Sequence, residues 1–195
     1  PVNPPVPSFI AGHTQNRKFT GIRDSLFVKA VVVSNGDSNI TILTVDCIGL
    51  LYPQLQEIRK IISQDAKSIN ASHIVLSSTH THAGPDVVGL WGPDLMHSGV
   101  DSNYIRFLVK TAAQQIITAW NNRIKSKAVY GEGSFGEGWV YNISEPAELD
   151  RSVTTLQFLD NSGKSLATLT NFACHPTFVD AIHHDVSADY PQGFY

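Results

Sequence analysis

The spacing of hydrophobic residues along this chain predicts both β-strands and α-helices. Residues 26–33 are dense in apolar, β-branched side chains, and a second such run covers residues 40–45 after a tight polar turn at residues 35–37. Two apolar runs separated by a turn of this kind predict a β-hairpin. Apolar residues then recur at helical spacing over residues 55–62, which predicts a helix with Pro53 in its first turn.

The rest of the chain continues this mixture of elements. A short apolar run predicts a strand at residues 73–78, and a Gly- and Pro-rich loop follows it over residues 80–100. A second helix is predicted over residues 103–121, with an inward stripe formed by Tyr104, Phe107, Leu108, Ala112 and Ile116. Further strands are predicted at residues 128–130, 153–159 and 165–172. Because strands, hairpins and helices are interleaved, the predicted class is α/β, with a mixed β-sheet flanked by helices.

Composition narrows the range of possible functions. The chain of 195 residues is about the size of one domain; 42% of it is hydrophobic, 16% is charged, and its formal net charge is -3. Lys and Arg are scattered without any basic run, so nothing favours nucleic acid as a partner. No apolar stretch approaches the ~18 residues that would indicate a membrane span. Cys47 and Cys174 lie in apolar runs, which favours two buried thiols and leaves one disulfide as the alternative.

Histidines at the ends of apolar strands are the first candidates for chemistry. The predicted strand at residues 73–78 runs directly into His80-Thr81-His82. In an extended backbone, residues two apart point to the same side, so both imidazoles can face one point in space. Neutral imidazole is a common zinc ligand. The alternative is that the two histidines are simply polar residues at a strand terminus, and for an isolated His-x-His motif the two interpretations are about equally favoured.

A second apolar strand ends in His175, which is followed by Pro176, a residue that cannot continue a hydrogen-bonded ladder. A single strand-end histidine is more often hydrogen-bonded than a metal ligand. Two strands that each end in histidine are a stronger signal, because α/β sheets place their sites at the carboxyl edge of the strands. We therefore expect His80 and His175 to converge at one edge of a common sheet.

Two aspartates are candidates for a supporting role. Asp189 lies in a polar loop over residues 185–193, and Asp46 ends the predicted strand at residues 40–45. A metal-bound histidine usually donates its other N–H to a carboxylate or a carbonyl, so either aspartate could orient a ligand. The alternative is a turn or helix cap, which is slightly favoured for Asp189 and equally favoured for Asp46. No role is assigned to His13, His73 and His97.

Taken together, these motifs resemble those of the neutral/alkaline non-lysosomal ceramidase family. The resemblance rests on three motifs in the same order: Ser78-Thr79-His80-Thr81-His82-Ala83-Gly84-Pro85, Asn171-Phe172-Ala173-Cys174-His175-Pro176-Thr177 and Ser187-Ala188-Asp189-Tyr190-Pro191-Gln192-Gly193. Residues 11–17, 29–32 and 45–46 fit as well, so the resemblance spans nearly the whole chain. One departure is Ile143, which stands between Asn and Ser where many members have Arg.

The resemblance implies a zinc-dependent amidohydrolase that releases a fatty acid from ceramide, an N-acyl sphingoid base. It implies that His80 and His175 bind Zn²⁺ and that His82, beside the metal, acts on the substrate or the leaving group. The family completes its metal site with a Glu and a Tyr from the later half of the catalytic domain. Residues 1–195 are therefore expected to be the N-terminal portion of an incomplete catalytic domain that needs the C-terminal half for activity.

Two alternatives stay open. The chain could be a non-catalytic fragment or binding module, because His80 and His175 are only two ligands and catalytic zinc typically has three from the protein. It could also be a divergent metal-dependent hydrolase with another substrate. A lipid-like substrate is compatible with contact at a membrane surface. We expect a secreted, periplasmic or cell-surface location, although no signal peptide is visible in the chain.

Overall fold

A computed structural model describes all residues from 1 to 195, and the chain forms two compact units. The first unit comprises residues 1–122 and 176–195, and the second comprises residues 123–175. In chain order the regular elements are β1 (Gly21–Ile22), β2 (Val28–Asn35), β3 (Ser38–Val45), α1 (Tyr52–Asp65), β4 (Ile74–Ser78), α2 (Ser102–Asn121), β5 (Lys127–Ser134), β6 (Ser152–Leu159), β7 (Ser165–Phe172) and β8 (Asp185–Val186).

The first unit is built on a three-stranded mixed sheet in the order β2-β3-β4. The predicted hairpin is confirmed: β2 and β3 are antiparallel, and the turn between them places Gly36 at a positive φ of 63°. β3 and β4 are parallel, with Val45 paired to Ser78. A parallel pair needs a crossover connection, and here α1 provides it.

Both predicted helices are confirmed, and they cover the hydrophobic core of the first unit. α1 begins with Pro53 in its first turn and buries Ile58 and Ile62. α2 is capped by Asp101, whose carboxylate accepts hydrogen bonds from the amides of Asn103 and Tyr104. α2 packs against β2 and against α1.

One position in the predicted inward stripe of α2 is wrong. Phe107 is 46% exposed, whereas Tyr104 and Leu108 are 4% and 0% exposed. Since each helical residue turns the chain by about 100°, Phe107 points away from the face that these residues share with Ala112 and Ile116. The face was therefore predicted correctly, and Phe107 was added to it in error.

A short pairing joins segments far apart in the first unit. β1 and β8 form a two-stranded parallel sheet in which Gly21 pairs with Asp185 and Ile22 with Val186. No strand was predicted in either segment, because both are polar and lack hydrophobic alternation. Their pairing depends on contacts between residues more than 160 positions apart along the chain.

The second unit is a three-stranded antiparallel sheet in the order β5-β6-β7. The three predicted strands are confirmed, and Gly163 lies at a φ of 85° in the turn between β6 and β7. Phe158 is its one buried large side chain, at 8% exposure. Most residues of β5 are exposed.

The α/β class with mixed strand pairing and flanking helices is confirmed. The expectation of one common sheet for His80 and His175 is wrong, because β4 and β7 belong to different sheets. Hydrophobic patterning identifies strands but does not say which strands pair, so the common sheet was an assumption from the α/β class. Neither α-helix is long and apolar enough to cross a membrane.

Candidate metal centre

His80 lies immediately beyond the carboxyl end of β4, beside the end of β3. The parallel pairing continues past both strands, since the amide of Thr79 donates to the carbonyl of Val45 and that of His80 donates to Cys47, each at 3.0 Å. His80 has a φ of 66°, in the left-handed region that non-glycine residues rarely occupy. Such strained residues persist where the surrounding structure holds them, and they concentrate at functional sites.

The imidazole of His80 is oriented by a backbone carbonyl. Its Nδ1 lies 2.6 Å from the carbonyl oxygen of Ile48. Because a carbonyl can only accept, Nδ1 carries the proton, and Nε2 is the nitrogen with a lone pair for a ligand or metal. This carbonyl contact is the kind of outer partner that orients metal-binding histidines.

His82 lies close to His80, as the His-x-His motif predicted. Their ring centroids are 5.2 Å apart in an edge-to-face arrangement. A nitrogen of His80 and a nitrogen of His82 lie within 4.8 Å of each other. The ring of His13 lies 5.1 Å from His82 on a separate segment. His13 was not predicted, although the Ala11-Gly12 element beside it contributed to the family resemblance.

Thr81, between the two histidines, points into the interior and anchors the motif. It is fully buried; its hydroxyl donates to the carbonyl of Ser187 at 2.8 Å and accepts from the amide of Ala83 at 3.1 Å. The amide of Ser187 in turn donates to the carbonyl of Ala83 at 3.0 Å. Thr81 therefore points inward and the histidines lie on the outer side, although the positive φ of His80 departs from the extended backbone on which this was predicted.

Asp24 holds the third sequence motif, residues 187–193, in place, and sequence reasoning missed Asp24. Its carboxylate accepts from the hydroxyl of Ser187 at 2.6 Å and from the amide of Ala188 at 2.7 Å. The hydroxyl oxygen of Ser187 also accepts from the amide of Asp189 at 2.9 Å. The Ser187–Asp189 motif therefore supports the His80–His82 segment through Thr81. The loop over residues 185–193 was a candidate from its polar sequence and from the resemblance, whereas nothing in the sequence pointed to Asp24.

Asp189 caps a local turn. Its carboxylate accepts from the amide of Val179 at 2.7 Å and from that of Tyr190 at 2.6 Å, where a short 3₁₀ helix (Tyr190–Phe194) begins. It is 6% exposed and has a positive φ of 62°. These contacts agree with the cap interpretation. A role for Asp189 in orienting a metal ligand stays a prediction.

Asp46 is buried at 1% exposure beside the end of β3. It accepts hydrogen bonds from the amide of Phe27 at 2.8 Å and from the hydroxyl of Tyr195. Burial raises the pKa of Asp46, and these hydrogen bonds partly offset the rise. Nearby, burial lowers the pKa of Lys29 to about 8, which attraction to Asp46 opposes. The role of Asp46 in orienting a histidine stays a prediction.

Gly12 packs directly against the imidazole ring of His82. A Cβ atom at this position would lie 2.4 Å from the imidazole ring, and its φ of 100° also favours glycine. The loop is fastened nearby, because the indole N–H of Trp91 donates to the carbonyl of His13 at 3.0 Å. The packing against Gly12 therefore restricts the orientation of the His82 ring.

His175 is the last residue of the second unit, three positions beyond the end of β7, and its side chain is exposed. The next residue, Pro176, belongs to the first unit, where its carbonyl accepts from the amide of His82 at 3.4 Å. Within the first unit, the segment that begins at Pro176 is therefore tied to the backbone of His82.

The fold and the paired histidines at a strand end place this chain in a known class of proteins. Its fold matches a neutral ceramidase from Pseudomonas aeruginosa with a TM-score of 0.80 at 17% identity, and a ceramidase complexed with C2 with a TM-score of 0.79 at 18% identity. The chain belongs to the neutral/alkaline non-lysosomal ceramidase family, whose N-terminal model matches residues 6–191.

The match to these structures covers 96% of this chain but 32% of each ceramidase, so the chain spans about a third of their length. At these identities the structural likeness shows the shared fold, and the family match independently identifies the lineage. The family resemblance predicted from the three sequence motifs is confirmed.

Proposed function

We propose that this chain supplies the first part of a zinc-dependent amidohydrolase site that cleaves an N-acyl amide. In this proposal His80 and His175 bind the metal, and His82 acts on the substrate or the leaving group. The observation that carries it is the pairing of His80 with His82, with Nδ1 of His80 held by the carbonyl of Ile48.

The donor set of the first unit fits zinc. Imidazole nitrogen is a preferred zinc ligand, with Zn–N distances of ~2.0–2.1 Å. A nitrogen of His82 lies within 4.8 Å of a nitrogen of His80, so His82 would lie beside a metal ion bound to His80, near enough to act on a substrate held there. The family match over residues 6–191, which includes His175, supports this residue as a further ligand.

The proposed chemistry assigns separate tasks to the histidines. A zinc ion in such a site lowers the pKa of bound water and polarises a carbonyl oxygen. His80 would use Nε2 as its ligand atom because Nδ1 donates to Ile48. His82, held against Gly12, is positioned to give a proton to the leaving nitrogen, since an amine leaves poorly unless protonated.

The proposed substrate is a lipid-like amide such as ceramide, supported by the family match over residues 6–191. By the family resemblance, a Glu and a Tyr from the later part of the catalytic domain complete the metal site. Two histidines alone fall short of the three protein ligands usual for catalytic zinc. The secreted, periplasmic or cell-surface location stays a prediction from the sequence.

Zinc binding tests the ligand assignment directly. We expect His80→Ala and His175→Ala each to weaken zinc binding by at least about tenfold in isothermal titration calorimetry, since each removes a first ligand. His73→Ala is the matched control, because Nδ1 of His73 also contacts a backbone carbonyl, that of Asn39, at 2.9 Å. Unchanged zinc affinity in the His80 and His175 variants would overturn the assignment.

Turnover tests the reaction. We expect the chain of 195 residues, even with zinc, to hydrolyse N-acyl sphingosine poorly, and a version extended through the downstream half to hydrolyse it. In the extended protein His82→Ala should lower kcat by about 10²–10⁴-fold, as expected for a lost general acid, while zinc affinity changes little. Comparable turnover by the short chain, or hydrolysis of simple esters alone, would contradict the proposal.

A further inference from the structure

Two arginines of the first unit converge on His183. The Nη2 atom of Arg17 donates to the carbonyl of His183 at 2.8 Å. The Nη2 atom of Arg23 lies 3.2 Å from Nδ1 of the same residue. Because a guanidinium can only donate, Nδ1 of His183 accepts, and the remaining proton of this neutral imidazole is on Nε2. The cluster of Arg17, Arg23 and His183 therefore presents hydrogen-bond donors from both guanidinium groups and from Nε2 of His183.

Arg17 is unusual because most of its donors are buried without an acceptor. Its side chain is 7% exposed, and neither Nε nor Nη1 makes a hydrogen bond. No carboxylate forms an ion pair with it. Burying a guanidinium with unsatisfied donors is costly, which indicates that an acceptor belongs at this place.

The nearest negative charge does not fill this role. Burial lowers the pKa of Arg17, and attraction to Asp180 offsets part of that change. The carboxylate of Asp180, however, accepts from the amide of Ile182 at 2.9 Å within its own turn. Asp180 thus moderates the charge of Arg17 without pairing with it.

We propose that Arg17 and Arg23 form a binding site for a small oxyanion, a phosphate or a carboxylate. Planar guanidinium groups bind such oxygens through paired, charge-assisted hydrogen bonds. Arg17 donates to the carbonyl of His183, the neighbour of Ile182, which is 79% exposed. Arg23 is exposed as well, so an anion can approach the two arginines from the solvent side of Arg23.

The site lies at the base of the loop between Ile10 and Arg17, which carries Gly12. The amide of Ile10 donates to the carbonyl of Arg17 at 2.9 Å, and Gly12, between them in sequence, packs against the His82 ring. An anion held by Arg17 would stabilise the base of this loop. The proposal does not depend on zinc or on amide hydrolysis.

Calorimetric titration of the full chain with sodium phosphate, and separately with sodium hexanoate, at constant ionic strength tests the site. We expect saturable binding of about one anion per chain, and Arg17→Met and Arg23→Met should each weaken it about tenfold or more through loss of charge-assisted hydrogen bonds. Arg59→Met is the matched control, because Arg59 also donates through Nη2 to a backbone carbonyl, that of Ile74, at 3.1 Å.

A second measurement separates binding from folding. Without anion, Arg17→Met should be as stable to urea as the parent chain or more stable, since it removes an unpaired buried charge. Arg17→Lys keeps the charge but loses the planar fork, so its affinity should be intermediate. Tighter binding of phosphate or of hexanoate distinguishes the two oxyanion classes. No saturable binding of either anion, or equal binding by all variants, would overturn the proposal.

Discussion

The two compact units of this chain differ in how much apolar surface they bury. The first unit has a mixed sheet, two packed helices and a core that includes Leu43, Ile58 and Leu108, all at 0% exposure. The second unit has a three-stranded antiparallel sheet with Phe158 as its buried large side chain, while Val129, Tyr130 and Leu166 on its strands are 43–63% exposed. A small sheet with so little buried apolar area contributes little stability of its own.

This difference matters for the candidate site. In the first unit, packing holds His80 at a strained φ and restricts His82 against Gly12. His175 follows the last strand of the second unit and has an exposed side chain. Rigid surroundings position functional groups more accurately than sparse ones. The first unit therefore holds its two candidate histidines in restricted orientations.

Core truncation gives the largest contrast between the units. Leu108→Ala in α2 should lower the free energy of unfolding by about 2–5 kcal/mol, because it removes fully buried methyl groups and leaves a cavity. Leu166→Ala in β7, at 43% exposure, should cost less than about 1 kcal/mol. Urea unfolding followed by circular dichroism measures both. Equal losses in the free energy of unfolding would contradict the difference in buried core between the two units.

Cysteine labelling probes both units in one experiment. Cys47 is fully buried, and burial raises its pKa to about 11, whereas Cys174 in the second unit is partly exposed. At pH 8 iodoacetamide should modify Cys47 about a hundredfold more slowly than the unfolded chain, because little thiolate forms and access is blocked. Peptide mass spectrometry should show Cys174 reacting first. Similar native rates would show that the core of the first unit opens readily.

Glycine substitutions sharpen the comparison at the site. Gly12→Ala would press a Cβ against the His82 ring, so we expect a loss of about 1–3 kcal/mol in stability and a lower kcat in the extended protein, with zinc affinity little changed. In the second unit, Gly136→Ala would meet Cγ2 of Val140 at 2.7 Å at a positive φ of 89°, so it should also cost stability but should spare kcat. Gly36 has a positive φ but no atom within 4 Å of an added Cβ. Gly36→Ala therefore measures the cost of backbone strain without a steric clash.

Turnover of N-acyl sphingosine by the extended protein measures the glycine series. An unchanged kcat in Gly12→Ala would mean that the His82 ring is not restricted by this contact. An equal loss of kcat in Gly12→Ala and Gly36→Ala would attribute the effect to backbone strain and not to the imidazole.

The smallest expected effect is a pH dependence at Lys29. Burial lowers its pKa from 10.5 to about 8, so between these values the unfolded chain binds more protons than the folded one. Stability from this group therefore rises as pH increases from 8 towards 10.5, by under about 1 kcal/mol given its partial solvation. Lys29→Met should remove that rise between pH 8 and 9, whereas Lys127→Met in the second unit should retain it. An unchanged slope in Lys29→Met would contradict the assignment.

Prediction from sequence succeeded where structure is local. The hairpin, both helices and the strands of the second unit follow from hydrophobic periodicity within single segments. It also identified the His-x-His pair as neighbours, although His80 has a φ of 66° and its backbone is not the extended one on which that prediction was based. It wrongly assigned Phe107 to the buried face of α2. The sequence around an apolar residue at the edge of a stripe does not show whether that residue is buried.

Contacts between distant segments could not be predicted in this way. The sequence alone determined both helices, the strands other than β1 and β8, the family and the histidines that are candidates for metal binding. Only the tertiary structure decided that β4 and β7 lie in separate sheets and that His13 and Gly12 adjoin His82. It likewise decided that Asp24 secures Ser187. The physical reason is that such pairings minimise buried, unsatisfied polar groups across the whole fold, a condition that no single segment encodes.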